Sequence, residues 1–290
     1  FTVPATIGIG RTYVRFRICD GTGNCDTPIG AASNGEVEDY GINLSPEYIP
    51  LSCEPEAYLV QGTESNWSSI NLVDGSLTTA SDDKAGPINA IGYNIKDNRI
   101  WGYDTQLNNG TLTVTTKDIS GNWVTTLTSP ISELNGISFN VGDVNLDGEL
   151  FLSGSNQSSF YVVDVDPASA TFLTLLRTED IEEAGVSTTT GAVDWAFNPK
   201  DGFLYAVRGS DNNLLKIDPT SGVLTNLGIS GATGGSWGAQ FFDADGNMYI
   251  EENEATGAIY RLDLSTNPGA DYDESKTVLF SNNKYLYQVQ

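Results

Sequence analysis

Hydrophobic and polar residues alternate along most of this chain in short runs separated by Asp, Asn and Gly. This is the pattern of half-buried β-strands joined by tight turns. In 12–18 (TYVRFRI), Tyr13, Arg15 and Arg17 fall on one face and Val14, Phe16 and Ile18 on the other. In 36–44 (EVEDYGINL), Val37, Asp39, Gly41 and Asn43 alternate with Glu36, Glu38, Tyr40, Ile42 and Leu44. Residues 45–56 (SPEYIPLSCEPE) carry three prolines and no periodicity, which is linker chemistry. The predicted organisation is a partial β-sandwich over 1–46, a Pro-rich linker over 47–56 and a larger domain over 57–290.

Within the larger domain one phrase recurs: an apolar strand, a polar turn, an aromatic-centred strand, another turn, and a strand ending in Asp. The first-hairpin copies are AIGYNIKDNRIWGYD, ISFNVGDVNLDGELFLSG, VDWAFNPKDGFLYAVRG and AQFFDADGNMYIEEN, with central aromatics Trp101, Phe151, Tyr205 and Tyr249. Tyr58 in EAYLVQG fits the same slot. The third strands align as SINLVD, FYVVD, LLKID and IYRLD, ending at Asp74, Asp164, Asp218 and Asp263. A spacing of roughly 40 to 55 residues is that of a propeller blade, and a single blade cannot bury both its faces, so such units close into a ring. The predicted fold class is all-β, a five-bladed β-propeller preceded by a partial β-sandwich. The first copy begins at its aromatic strand and lacks an innermost one. Residues 284–290 (KYLYQVQ) are expected to supply that strand, or to open a sixth blade. One stretch, 178–185 (TEDIEEAG), has a capping threonine, an acidic first turn and a terminal glycine, which predicts a short helix between blades.

Composition narrows the chemistry. The 290 residues hold 14 Lys+Arg against 38 Asp+Glu, a formal net charge of −24, and no histidine. An acidic surface without Lys/Arg clusters repels phosphate backbones, so nucleic acid is not an expected partner. Absence of histidine excludes Ser-His-Asp, Cys-His and His-ligated zinc mechanisms. No apolar run reaches the ~20 residues that span a bilayer as a helix, and no membrane span is expected. The start, FTVPATIG, has no leader pattern and reads as a mature or trimmed secreted chain. Low lysine and abundant Asn, Thr, Ser and Gly suit an extracellular or cell-surface location.

Arg15, Phe16 and Arg17 in the strand, followed by Gly35, Glu36, Val37, Glu38, Asp39 and Tyr40, resemble the GEVEDY domain, found near the cell-surface end of large secreted bacterial proteins. In that family these strands form the second half of the domain, so the resemblance implies that only the C-terminal half stands here. The remainder looks like propeller-like repeat domains of unknown function in bacterial surface adhesins. The N-x-x-D-G-x-L-Y turn is carried by Asn198, Asp201, Gly202, Leu204 and Tyr205. Such domains commonly end in Asn-Asn-Asp-Gly and a cysteine, whereas this chain has Asn282-Asn283 and then KYLYQVQ, leaving Cys53 without its implied partner.

Several residues could carry chemistry. Cys19 and Cys25 flank DGTGN and are placed for a loop-closing disulfide, with Cys53 the odd one. Asp143, Asn145, Asp147 and Glu149 place oxygen side chains at alternate positions around Gly148, as a calcium loop does. Position twelve is Gly154, which excludes an EF-hand, and the alternative is a blade turn in which Asp and Asn bond their own backbone. Asp243 and Asp245 pose the same choice, so calcium is the one cofactor these loops could hold. Glu36 and Glu38 share a strand face and could contribute to an oxygen-rich cation site or pair with Arg15 and Arg17, the pairing being the expectation. Sequons stand at Asn66, Asn109 and Asn156. Trp101, Trp123, Trp195 and Trp237 could stack on a glycan or pack between blades. Asp194, or Glu251 with Glu252, could serve a carboxylate hydrolase.

The function these features predict is non-enzymatic: an extracellular structural or adhesive protein of a bacterial cell surface, with a pilus-like filament subunit as the form it could take. Its partners would be further copies of itself joined through exposed β edges. A glycan- or ligand-binding propeller is the alternative, and a glycoside hydrolase the more distant one.

Overall fold

The computed structural model describes residues 10–18, 35–44, 50–51, 56–62, 64–253, 257–269 and 271–282. The three cysteines and 284–290 lie outside the described residues, and so do the disulfide and the strand expected of them. The chain divides into two units, Phe1–Pro46 and Glu47–Gln290.

In the first unit, β1 (Gly10–Ile18) and β2 (Glu36–Leu44) form an antiparallel ribbon. Register places Arg15 opposite Asp39 and Phe16 opposite Glu38. Arg15 therefore pairs with Asp39, not with Glu36 or Glu38, which project from the other face. Its Nε and Nη2 donate to Oδ1 and Oδ2 at 2.6 and 2.7 Å, a bidentate fork. The hydroxyl of Tyr40 donates to Glu38, and its ring meets Phe16 edge-on with centroids 5.6 Å apart.

The second unit is a five-bladed β-propeller. Blade 1 holds β3 (Glu56–Gln61), β4 (Ser65–Asn71) and β5 (Leu77–Ala85); blade 2 holds β6 (Ile88–Asn94), β7 (Arg99–Asp104), β8 (Leu112–Lys117) and β9 (Trp123–Leu127). Blade 3 consists of β10 (Val141–Val144), β11 (Glu149–Ser153), β12 (Ser159–Asp164) and β13 (Leu175–Asp180). The hairpin β14 (Glu182–Glu183) and β15 (Val186–Ser187) follows, then blade 4 with β16 (Ala196–Phe197), β17 (Leu204–Val207), β18 (Asn213–Ile217) and β19 (Val223–Ile229). Blade 5 comprises β20 (Trp237–Phe242), β21 (Asn247–Glu252), β22 (Ala258–Asp263) and β23 (Thr277–Asn282). Each blade is an antiparallel meander, and blade 1 begins, among the described residues, at its aromatic strand.

The predicted helix at 178–185 is instead strand and hairpin. Ala184 and Gly185 both take positive φ, 52° and 78°, which closes a two-residue hairpin turn. β14 then pairs parallel with β19, Glu182 opposite Val223, and widens blade 4 to six strands. The Glu-Glu-Ala-Gly run that mimicked a helix end is a turn whose partner strand lies some forty residues away.

Packing explains why the aromatic slot repeats. Trp101, Phe151, Tyr205 and Tyr249 are buried on second strands, and each projects forward onto the next blade. Trp101 meets Phe172, Phe151 meets Phe197, Tyr205 meets Phe242, and Tyr249 packs with Ala57, Leu59 and Ile70 of blade 1. That last cluster joins blade 5 to blade 1 and closes the ring. Leu51, in the segment read as linker, is buried with Trp67 and Trp123 between blades 1 and 2, and its N–H donates to Asn98 at 3.1 Å.

Candidate functional site

The innermost strands of blades 2 and 3 touch backbone to backbone. A Cβ on Gly92 would stand 2.4 Å from Val144 N, and one on Gly142 2.5 Å from the carbonyl oxygen of Ala90. Only glycine permits that approach. Beside it stand two carboxylates, Asp143 on β10 of blade 3 and Asp194 two residues ahead of β16 in blade 4. Asp143 accepts from the N–H of Val144 through Oδ1 and from that of Phe197, on blade 4, through Oδ2, both at 2.8 Å. Asp194 accepts from Gln240 N on blade 5 through Oδ2 at 3.0 Å, and from the backbone of Trp195 and Gly142. Gln240 continues the chain of contacts, its Oε1 accepting from Val207 N at 2.8 Å.

Asp143 and Asp194 keep part of their surface open while sitting deep among neighbouring blades. Burial pushes Asp143 up to about 7 against the opposing pull of its two N–H donors. Burial raises Asp194 well above the carboxylate range, and the nearby charge of Asp143 adds to it. Sequence reasoning singled out each aspartate separately, Asp143 for calcium and Asp194 for hydrolysis; the structure makes them neighbours. Sequence gave no sign of this, since the two lie on different blades.

The predicted metal ligands mostly serve turns. Asn145 Oδ1 accepts from the N–H groups of Asp147 and Glu149 at 3.0 and 2.9 Å, and Asn145 Nδ2 donates to Glu149 Oε2 at 2.8 Å. Glu149 Oε1 takes a further bond from Arg177 at 3.3 Å. Asp147 is exposed, and Asp143 is turned away to the contact with blade 4. In blade 5, Asp243 Oδ1 accepts from the N–H of Asp245 and of Asn247, both at 2.9 Å, while Oδ2 accepts from Asn247 Nδ2 at 2.8 Å and the Tyr249 hydroxyl at 3.2 Å. Asp245 is exposed. Among the described residues no group of three or more acidic or cysteine side chains is placed to hold a metal ion.

The same turn recurs with a second use in two blades. Asn94 and Asn198 cap their own turns through Oδ1 and donate from Nδ2 to carbonyls of a following blade, Val165 at 2.8 Å and Leu264 at 2.9 Å. Between third and fourth strands the capping residue is Asp118, Asp164, Asp218 or Asp263. In blade 1 that place belongs to Asn71, whose Oδ1 accepts from Val73 N, so Asp74 stands three residues off the repeat.

Trp101, Trp123, Trp195 and Trp237 are all buried in packing between strands and blades, which removes them as a surface for a sugar ring. Glu251 is buried without a hydrogen-bond partner shown, and desolvation pushes it up to about 8. Of the sequons, Asn156 is exposed and Asn66 and Asn109 are half-buried.

A family model described as a repeat of unknown function (DUF6923) matches residues 58–282, and a GEVED domain model matches residues 1–43. The latter places a GEVED domain over the N-terminal segment, correcting its reading as only the second half of one. No protein of curated function matches the sequence. Among solved structures, glutaminyl cyclase from Myxococcus xanthus is 12% identical, with a TM-score of 0.45 over 67% of this chain and 79% of that one. Virginiamycin B lyase from Staphylococcus aureus is 14% identical, with a TM-score of 0.42 over 87% and 71%. A Bacteroides thetaiotaomicron protein of unknown function is 16% identical, with a TM-score of 0.47 over 73% and 53%. Likeness at this level carries nothing about activity.

Proposed function

Since the chain belongs to the family described as a repeat of unknown function (DUF6923), with a GEVED domain ahead of the repeat, we propose that it is a non-enzymatic structural or adhesive module of a bacterial surface. In this reading it acts outside the cell and joins further copies of itself through exposed β structure. The observation that carries the proposal is the β1–β2 ribbon. Phe16, Ile18 and Tyr40 on one face, and Tyr13 and Val37 on the other, are all about half exposed or more. Both edges of the ribbon are unpaired among the described residues. Unpaired edges beside apolar faces are templates for a strand from another chain.

Charge supports a second copy as the occupant. The ribbon's three arginines, Arg11, Arg15 and Arg17, balance Glu36, Glu38 and Asp39, whereas the chain as a whole stands at −24. A neutral patch is where two acidic copies approach with least repulsion. The test is assembly against concentration by light scattering and electron microscopy, for the wild type and for Phe16→Asp. Concentration-dependent assembly lost in the variant supports the proposal, and a wild type that stays monomeric at high concentration overturns it.

A second reading rests on the neighbouring carboxylates Asp143 and Asp194, both raised by burial, since a pair of carboxyl groups is the equipment of acid/base hydrolysis. Turnover of a polysaccharide by the wild type, abolished in Asp194→Asn, would favour it over the structural reading.

A further inference from the structure

Blades 4 and 5 meet at their outer turns around a lysine that sits largely out of water. Lys216, on β18, lies beside Tyr205 of β17 in the ladder, and its ammonium stands 3.9 Å from the centroid of the Phe203 ring. Only 13% of the Lys216 side chain is exposed. Its Nζ makes two polar contacts: 3.4 Å to Asp201 Oδ2 and 2.6 Å to Asn267 Oδ1. Asp201 is equally sheltered, at 12%, and its Oδ2 also accepts from the Tyr205 hydroxyl at 2.7 Å. Asn267 belongs to the blade 5 loop after β22 and, with Pro268 and Gly269, borders an open groove of about 470 Å³. The carboxamide carbon lies one C=O bond beyond Oδ1, so it is under about 4 Å from the amine nitrogen. An amine, a carboxamide and a carboxylate are thus held together against aromatic rings. That is the full set of groups for an amide exchange.

We propose that Lys216 and Asn267 form an intramolecular isopeptide bond, with Asp201 as the proton carrier, covalently joining blade 4 to blade 5. This inference stands independently of the surface-protein reading. Asp201 takes one proton from the Lys216 ammonium, and the neutral amine attacks Cγ of Asn267, forming the new C–N bond. Asp201 passes its proton to Nδ2, and the Cγ–Nδ2 bond breaks. Nζ gives up a second proton as the amide forms, and the nitrogen that departs through the groove does so as ammonium. One ammonium is consumed and one is released, no oxidant or cofactor is used, and Asp201 ends as it began. Fixed geometry replaces a bimolecular encounter.

The experiment is intact mass spectrometry of the denatured, reduced wild-type chain, followed by tryptic mapping. The expected mass is one ammonia below the sum of the residues. Trypsin should fail at Lys216 and leave 209–261 joined to 262–276. Lys216→Arg and Asn267→Ala should restore the full mass. Asn267 is an exposed loop residue, so its variant should keep the native near-UV circular dichroism. Asp201→Asn should leave the chain unlinked, and linking at the wild-type rate in that variant would overturn the role given to Asp201. A succinimide at an Asn-Gly pair also loses ammonia. Full mass, or a loss that maps to such a pair with Lys216 still cleaved, overturns the bond.

Discussion

Glu251 offers the sharpest test of how the ring is closed. It lies on β21 between Ala239 and Ile259, two residues beyond the forward-packing Tyr249, on the face that meets blade 1. The equivalent places in the other blades hold Val60, Tyr103, Ser153 and Val207. Only 3% of Glu251 is exposed, and desolvation is the sole cause that raises its carboxyl from 4.5 to about 8. Because the folded pKa is the higher one, the native state binds this proton more tightly than the unfolded chain does. The resulting stabilisation is complete below about 4.5 and is lost as pH rises through about 8. Each pH unit in that window is worth about 1.4 kcal/mol, so the ceiling is about 5 kcal/mol, and local relaxation should reduce the measured effect to a few kcal/mol. Glu251→Gln keeps the shape, removes the titration and orphans no donor shown in the structure. Urea unfolding, followed through the buried tryptophans, would compare the two chains at about pH 5 and about pH 9. The variant should match the wild type at the lower pH and exceed its stability at the higher by a few kcal/mol. An unchanged pH slope in Glu251→Gln, or a variant weaker than the wild type at high pH, would refute the placement of a charge-averse carboxyl at this interface.

Other expectations follow from the contacts described. Gly92→Ala should cost about 3 kcal/mol or more in urea unfolding, because its Cβ would meet backbone atoms that cannot step aside. Asn198→Ala removes a buried turn cap and a bond to the Leu264 carbonyl; a loss of about 2 to 4 kcal/mol is expected, against about 1 for the exposed cap in Asp218→Ala. Calcium at millimolar levels should leave the thermal midpoint unchanged, since Asn145 and Asp243 already spend their oxygens on their own turns. A rise that Asp147→Ala abolishes would make 143–149 a cation site after all.

The ring was legible because its signal is local and repeated: an aromatic every blade and a polar turn on either side of it. The hairpin at 182–187 escaped for the opposite reason, since its strand character comes from pairing with β19, remote in sequence. The register of Arg15 with Asp39 also needs both strands in place before it can be read. The calcium-like spacing was real as a spacing, but alternate oxygens along a turn satisfy backbone donors as well as they satisfy a cation. Asp143 with Asp194, and Lys216 with Asn267, come from neighbouring blades. No periodicity within one repeat can announce a meeting between two.

The forward reach of each second-strand aromatic ties the stability of a blade to its successor. In an open row of repeats the last unit would leave one such ring uncovered, and units could be lost from an end one at a time. Here Tyr249 finds its cover in blade 1, so there is no last unit. Melting should then proceed as a single cooperative event in which the whole circle opens, and a version shortened by one blade should fail altogether rather than survive as a smaller copy.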